Sequence, residues 1–322
     1  MEGNPSMATK KAASTKKTTA KKPAPVATKT TVRTISADEK PAKVSKPVLP
    51  IKAFAPKVAL AKSANADRKS QALPNNIVNI VFAELFGTFA LTLVALLASK
   101  ETGSLYVGLF VVVGTIAVAA VSGAHFNPAI TFAKWTMRQL KSVLLPFYWG
   151  AQFLGAMLSV IVLNWLTQGA LQLDFSHLTS MNWPLFGVEL VGTMVLMFGW
   201  AAANNRRTLD SMGHALGAGL AVTAGLAVAA SLIATVQGAV DTSQITSIDK
   251  VPHELRVKGP SLNPAVALAS TEQSDSSFTG SRATENEKQI SRLSLEVVLG
   301  TLIGAALGGN LYLLIAGSRR EQ

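Results

Sequence analysis

Ser122-Gly-Ala-His-Phe-Asn-Pro-Ala-Ile-Thr-Phe-Ala133 and Gly259-Pro-Ser-Leu-Asn-Pro-Ala-Val-Ala-Leu-Ala269 share one phrase, Asn-Pro-Ala, at Asn127-Pro128-Ala129 and Asn263-Pro264-Ala265. Asn is favoured as a helix N-cap and Pro at the first helical position, so each phrase predicts the start of a helix. Long apolar segments flank both copies, and neither predicted helix is long enough to cross a bilayer, so each is expected to be a re-entrant half-helix. Gly123, Ala124 and His125 precede one copy, and Gly259, Pro260 and Ser261 the other. Their carbonyls cannot be satisfied by lipid. Such backbone survives at membrane depth only where it is buried in protein or lines a water-filled path.

Working outward, the 322 residues are 49% hydrophobic and only 15% charged, with a mean hydropathy of +0.33, the profile of a bundle of membrane helices. Six apolar segments are predicted at Ile77–Ala98, Leu105–Val121, Val143–Leu166, Pro184–Ala203, Ala215–Val236 and Leu295–Ala316. They read as two sets of three, 77–166 and 184–316. Ala83-Glu84-Leu85-Phe86-Gly87-Thr88 in the first segment is answered by Val188-Glu189-Leu190-Val191-Gly192-Thr193 in the fourth, and Phe153-Leu154-Gly155-Ala156 in the third by Leu302-Ile303-Gly304-Ala305 in the sixth. Three crossings per copy is an odd number, so the second copy enters the membrane inverted, which places a functional site at the midplane between the halves. The expected fold is an all-α membrane protein with six transmembrane helices and two re-entrant half-helices in an inverted repeat, spanning 76–318.

The net charge of +12 suggests nucleic acid until it is placed along the chain. Residues 1–75 hold 16 Lys+Arg against 4 Asp+Glu, whereas 76–322 hold 14 of each. This tail is rich in Lys, Ala, Thr and Pro and is expected to be disordered, near anionic lipid, with an organelle transit peptide as the alternative. Specific nucleic-acid binding is not expected, because no aromatic residue is interleaved with the lysines before Phe54. Lys134, Arg138 and Lys141 follow segment two, Arg206 and Arg207 segment four, and Arg319 and Arg320 segment six, while 167–183 carries no Lys or Arg. The positive-inside bias then puts both termini in the cytoplasm, in the plasma membrane or alternatively an organelle membrane.

On both Asn-Pro-Ala boxes, the two Glu-x-x-Gly-Thr helices and the inverted repeat, the chain resembles the aquaporin (major intrinsic protein) family over 77–316. The resemblance implies a pore in every subunit, assembly as a homotetramer, and a passive channel for water or a small neutral solute, with no reaction and no cofactor. It implies that Asn127 and Asn263 donate to the permeant, that carbonyls of 123–125 and 259–261 form an acceptor ladder, and that Glu84 and Glu189 brace the loops, with proton relay as the alternative role for the two carboxylates. The family's aromatic/arginine constriction falls on Val107, Leu226, Pro260 and Val266. Val266 stands where the family has Arg, and Ala267 where glycerol-conducting members have Asp, so cation exclusion is weakened and the glycerol signature is missing. A non-conducting scaffold or adhesion protein on the same fold is the alternative function.

Two polar stretches, 237–262 and 271–292, exceed the family pattern. They read as tolerated loop insertions or as the source of a replacement charge, Arg256 or Lys258, for the constriction. The chain has no Cys, which excludes disulfides and thiolate sites. The four His residues, 125, 177, 214 and 253, show no i, i+4 pairing, so no metal site is expected. His125 is expected to be a hydrogen-bonded support and His214 an interfacial residue. Gly300, Gly304 and Gly308 are expected to mediate close helix contact. No nucleophile, acid/base pair or metal set converges, so an enzyme is not expected.

Overall fold

The structure is a computed structural model that describes residues 73–99, 102–167, 173–280 and 289–317. The basic tail up to residue 72, and Arg319 and Arg320, lie outside the described residues. The first half comprises α1 (Ile77–Leu97), α2 (Gly103–Ser122), the short α3 (Pro128–Thr136) and α4 (Leu145–Thr167). The second half repeats that order with α5 (Trp183–Asn205), α6 (Ser211–Gly238), a one-turn helix α7 (His253–Arg256), the short α8 (Pro264–Ala269), a further short helix α9 (Asp275–Thr279) and α10 (Leu295–Gly317). Among the described residues, six helices are thus long and apolar enough to cross a membrane.

Local chemistry sets the helix starts. Pro184 lies in the first turn of α5, where Asn182 Oδ1 accepts from Leu185 N at 3.0 Å, and Asp210 Oδ1 caps α6 by accepting from Gly213 N at 2.7 Å, satisfying backbone donors that have no intrahelical partner. α3 and α8 begin at Pro128 and Pro264 with Asn127 and Asn263 as their N-caps. At nine and six residues they are far too short to span a bilayer.

Within the bundle α10 packs on α5, α5 on α6, α6 on α2, α2 on α1 and α1 on α4. Each half-helix also packs on the last helix of the opposite half, α3 on α10 and α8 on α4, which interlocks the repeats. Gly155 and Gly304 occupy equivalent places: a Cβ at either would lie 2.3 Å from a backbone carbonyl, of Leu85 and Leu190 respectively. Gly300 and Gly308 approach α5 in the same way, 2.9 Å from the Phe186 carbonyl and 2.2 Å from that of Met194, so the small-residue stripe does mediate helix contact. Large apolar side chains point outward instead, among them Phe82, Phe86, Leu154 and Leu314. Trp165 and Trp183, exposed near adjacent ends of α4 and α5, suit a membrane interface.

The two polar insertions are not independent loops. Gln273 N donates to Arg256 O at 2.7 Å and Glu272 N to Ile290 O at 2.9 Å. β1 (Leu173–Asp174) pairs in parallel with β2 (Gln289–Ile290), so the connection between the halves and both insertions form one cap beside α8. Sequence composition could not register this, because the pairing is made by backbone groups far apart along the chain.

A Gly304→Val substitution is expected to destabilise the bundle by about 1–3 kcal/mol, because the added side chain collides with backbone rather than with a movable rotamer. At Gly187 a Cβ would meet nothing within 4 Å, so Gly187→Ala should leave stability unchanged or slightly raised. Thermal unfolding of both variants in detergent tests the contrast.

Candidate functional site: the paired Asn-Pro-Ala loops

Asn127 Oδ1 accepts from Ala129 N at 2.8 Å, and Asn263 Oδ1 accepts from Ala265 N at 3.0 Å. With the carboxamide oxygens committed to the caps, each Nδ2 points across the repeat: Asn127 Nδ2 donates to Leu262 O at 2.8 Å and Asn263 Nδ2 to Phe126 O at 2.9 Å. The two loops are therefore cross-bonded through equivalent atoms. A primary amide carries two N–H groups, so each Asn retains one donor beyond this pair.

Phe126 and Leu262, whose carbonyls accept those bonds, both have φ of +50°, a left-handed conformation unfavourable for bulky side chains. Their side chains fill seats cut by glycine. A Cβ at Gly87 would lie 1.9 Å from the Phe126 ring, and one at Gly192 2.8 Å from Leu262 Cδ2. This is the physical content of the repeated Glu-x-x-Gly-Thr phrase: its glycine admits the residue before Asn, and its carboxylate holds the loop backbone.

Glu84 accepts from His125 N at 3.0 Å and Phe126 N at 2.8 Å, and Glu189 from Ser261 N at 3.1 Å and Leu262 N at 2.9 Å. Both carboxylates are fully buried. The halves differ in the next donor. Gln152 Nε2 reaches Glu84 at 2.8 Å, whereas in the second half Arg292 donates to Glu189 at 3.2 Å and also pairs with Glu296 at 3.3 Å. Neither Gln152 nor Arg292 was found by sequence reasoning. A polar amide inside apolar α4 was the available signal for the first, but Arg292 was hidden in a polar insertion.

Among the described residues no hydrogen-bond donor meets the carbonyl oxygens of Gly123, Ala124, His125, Gly259, Pro260 or Ser261. His125 sits with Nδ1 at 3.1 Å from Thr131 Oγ1 and its ring centroid 4.8 Å from that of Tyr148. Tyr148 OH in turn donates to Ser122 O. Gly123, His125, Lys134, Tyr148, Trp200 and His214 line a cavity of about 510 Å³ beside the first loop. Lys134 Nζ donates to Gln139 at 2.7 Å and lies 5.1 Å over the Trp200 ring, and His214 Nε2 is 3.1 Å from Arg206 O.

Of the four positions that the resemblance assigns to the constriction, Val107 packs against the core cluster that contains Leu226. Their helices meet where Gly108 abuts Thr223 and Gly219. Val266 is buried at the start of α8 and Pro260 half-buried before it. The proposed replacement charges are otherwise engaged. Arg256 pairs with Asp275 at 2.7 Å, donates to Ile248 O and stacks 5.6 Å from the Phe278 ring, while Lys258 Nζ donates to Thr271 Oγ1 at 3.0 Å.

Residues 98–240 match the family described as major intrinsic protein. Aquaporin NIP2-2 of Zea mays is 31% identical over 244 residues, covering 72% of this chain and 71% of that protein. The chain belongs to the major intrinsic protein, or aquaporin, family. Aquaporin NIP2-3 of Zea mays is 31% identical over 172 residues, 49% of this chain and 57% of the relative, so that alignment spans little more than half of the relative's length. Among solved structures, the aquaglyceroporin from Plasmodium falciparum aligns at 17% identity with a TM-score of 0.49, covering 76% of this chain and 100% of that one. With its six apolar helices the chain is an integral, multi-pass membrane protein.

Arg292→Ala is expected to destabilise the protein by about 3–5 kcal/mol, since it strands two buried carboxylates. Gln152→Ala removes a neutral donor and should cost only about 1–3 kcal/mol. Thermal melts in the same detergent give the order, and an equal loss in both variants would contradict it.

Proposed function

We propose that this chain is a passive channel for water or small uncharged solutes, with the pore running between its own two halves. The cross-bonded Asn127 and Asn263 carry this reading. They hold two loops edge to edge, with one amide donor left on each, beside backbone carbonyls that meet no donor among the described residues. A single file of molecules that both donate and accept hydrogen bonds suits such a lining. A cation finds amide donors where it needs acceptors. Glu84 and Glu189 act here as braces: their oxygens are occupied by loop amides, which suits a fixed wall better than proton relay. No step of chemistry is involved.

Selectivity rests on Val107, Leu226, Pro260 and Val266. A constriction of apolar side chains offers a permeant little compensation for lost water, so it favours weakly hydrated neutral solutes over ions. The channel is proposed to assemble as a homotetramer in a cell membrane with both termini cytoplasmic, the basic tail lying near anionic lipid.

Stopped-flow light scattering on proteoliposomes tests the reading. Shrinkage or solute entry faster than in empty vesicles is expected for the wild type, with slower entry in Val266→Arg, where a long cation enters the constriction; a tenfold loss corresponds to about 1.4 kcal/mol of added barrier. Rates equal to empty vesicles for water and a panel of neutral solutes would instead support the non-conducting scaffold.

A further inference from the structure

We propose that His177, His253 and Glu272 form a binding site for a divalent transition metal of the zinc class, which staples the cap beside the second Asn-Pro-Ala loop. One ligand atom from each residue lies within 4.8 Å of the others. His253 Nε2 is 2.7 Å and His177 Nδ1 3.2 Å from the Glu272 carboxylate, and the two rings stand at 65° with centroids 4.9 Å apart. Tetrahedral zinc with bonds of about 2.0–2.1 Å sets its ligand atoms about 3.3–3.4 Å from one another. Small rotamer shifts therefore suffice to close the triangle on an ion, leaving a fourth position for water.

Three further observations point to a cation rather than a simple hydrogen-bonded cluster. First, the remaining ring nitrogen of His253 faces Glu296 Oε1 at 3.6 Å, so a small shift on closing around an ion would let this carboxylate orient the metal-ligating imidazole and raise its basicity. Second, the surroundings are short of positive charge. Glu189, Glu272 and Glu296 are all buried, and Arg292 is the one guanidinium that pairs with them among the described residues. Third, Glu296 Oε2, beside this cluster, is buried with no hydrogen-bond partner among the described residues. The imidazole side chains keep some exposure, 29% for His177 and 15% for His253, which leaves an entry path.

The ligands come from three separate segments. His177 lies in the connection between the halves, His253 opens α7 six residues before Gly259, and Glu272 follows α8. A bound ion ties these segments together on both sides of the second half-helix. Imidazole with carboxylate suits Zn²⁺ far better than Mg²⁺ or Ca²⁺, which prefer all-oxygen shells.

The test uses the full chain in detergent, free of affinity-tag histidines and stripped with EDTA, and the probe is Zn²⁺ alone followed by isothermal titration and thermal unfolding. One Zn²⁺ per chain and a raised melting temperature are expected, with Mg²⁺ giving neither. His253→Ala and Glu272→Gln should each weaken binding at least tenfold, Glu296→Gln about tenfold through the lost orientation of His253, and His214→Ala not at all. Should the ligand variants fail to fold, histidine modification of the wild type decides: Zn²⁺ must slow diethyl pyrocarbonate labelling of His177 and His253 while leaving His214 unaffected. No stoichiometric zinc binding, unchanged affinity in His177→Ala/His253→Ala, or protection that spares both cluster histidines overturns the proposal.

Discussion

Backbone amides buried at the centre of the bundle need partners within the protein, and satisfying them is the constraint on which the rest of this structure depends. Glu84 and Glu189 each take two consecutive loop amides on one carboxylate. That geometry fixes the chain just before Asn127 and Asn263, turns Phe126 and Leu262 into left-handed backbone, and aims each Asn amide at the opposite loop. Because every link is buried, an unmade bond would carry the full cost of a desolvated donor. The two loops consequently support each other, and neither half completes the centre alone.

The halves are chemically unequal where their symmetry matters least to the Asn pair and most to the cap. A neutral amide, Gln152, completes the carboxylate environment in the first half, while a guanidinium, Arg292, does so in the second. That single exchange brings charge into the second half and links Glu189 through Glu296 to His253 and Glu272. The polar insertions therefore belong to the electrostatic support of the second loop. They supply Glu189 with its guanidinium partner, Arg292, which lies well beyond the end of α8 at Ala269.

Six helices, two half-helices and the equivalence of the halves were legible because the bilayer enforces them: apolar runs of spanning length, Asn-Pro at helix starts, and glycine where helices touch carbonyls. The predicted spans agree with the helices to within a few residues except α6, which begins at Ser211, one turn before Ala215. The central phrase was legible for the same reason, since a buried Glu within an apolar helix demands partners. The cap was not. Its contacts join residues whose sequence neighbours are all polar, and polarity alone does not distinguish a tolerated loop from a folded one. The histidines mark this limit most clearly, since spacing along the chain dismissed them as scattered while folding set His177 and His253 ring against ring.

By itself, then, the sequence determined the membrane setting, the doubled architecture and the start of a short helix at each Asn-Pro-Ala, because hydropathy and helix capping act between near neighbours. Only the tertiary structure decided that each Asn bonds the opposite loop, that Arg292 serves Glu189, and that Arg256 is held by Asp275. Those pairings depend on which groups are left without water when distant segments pack, and no local pattern records that.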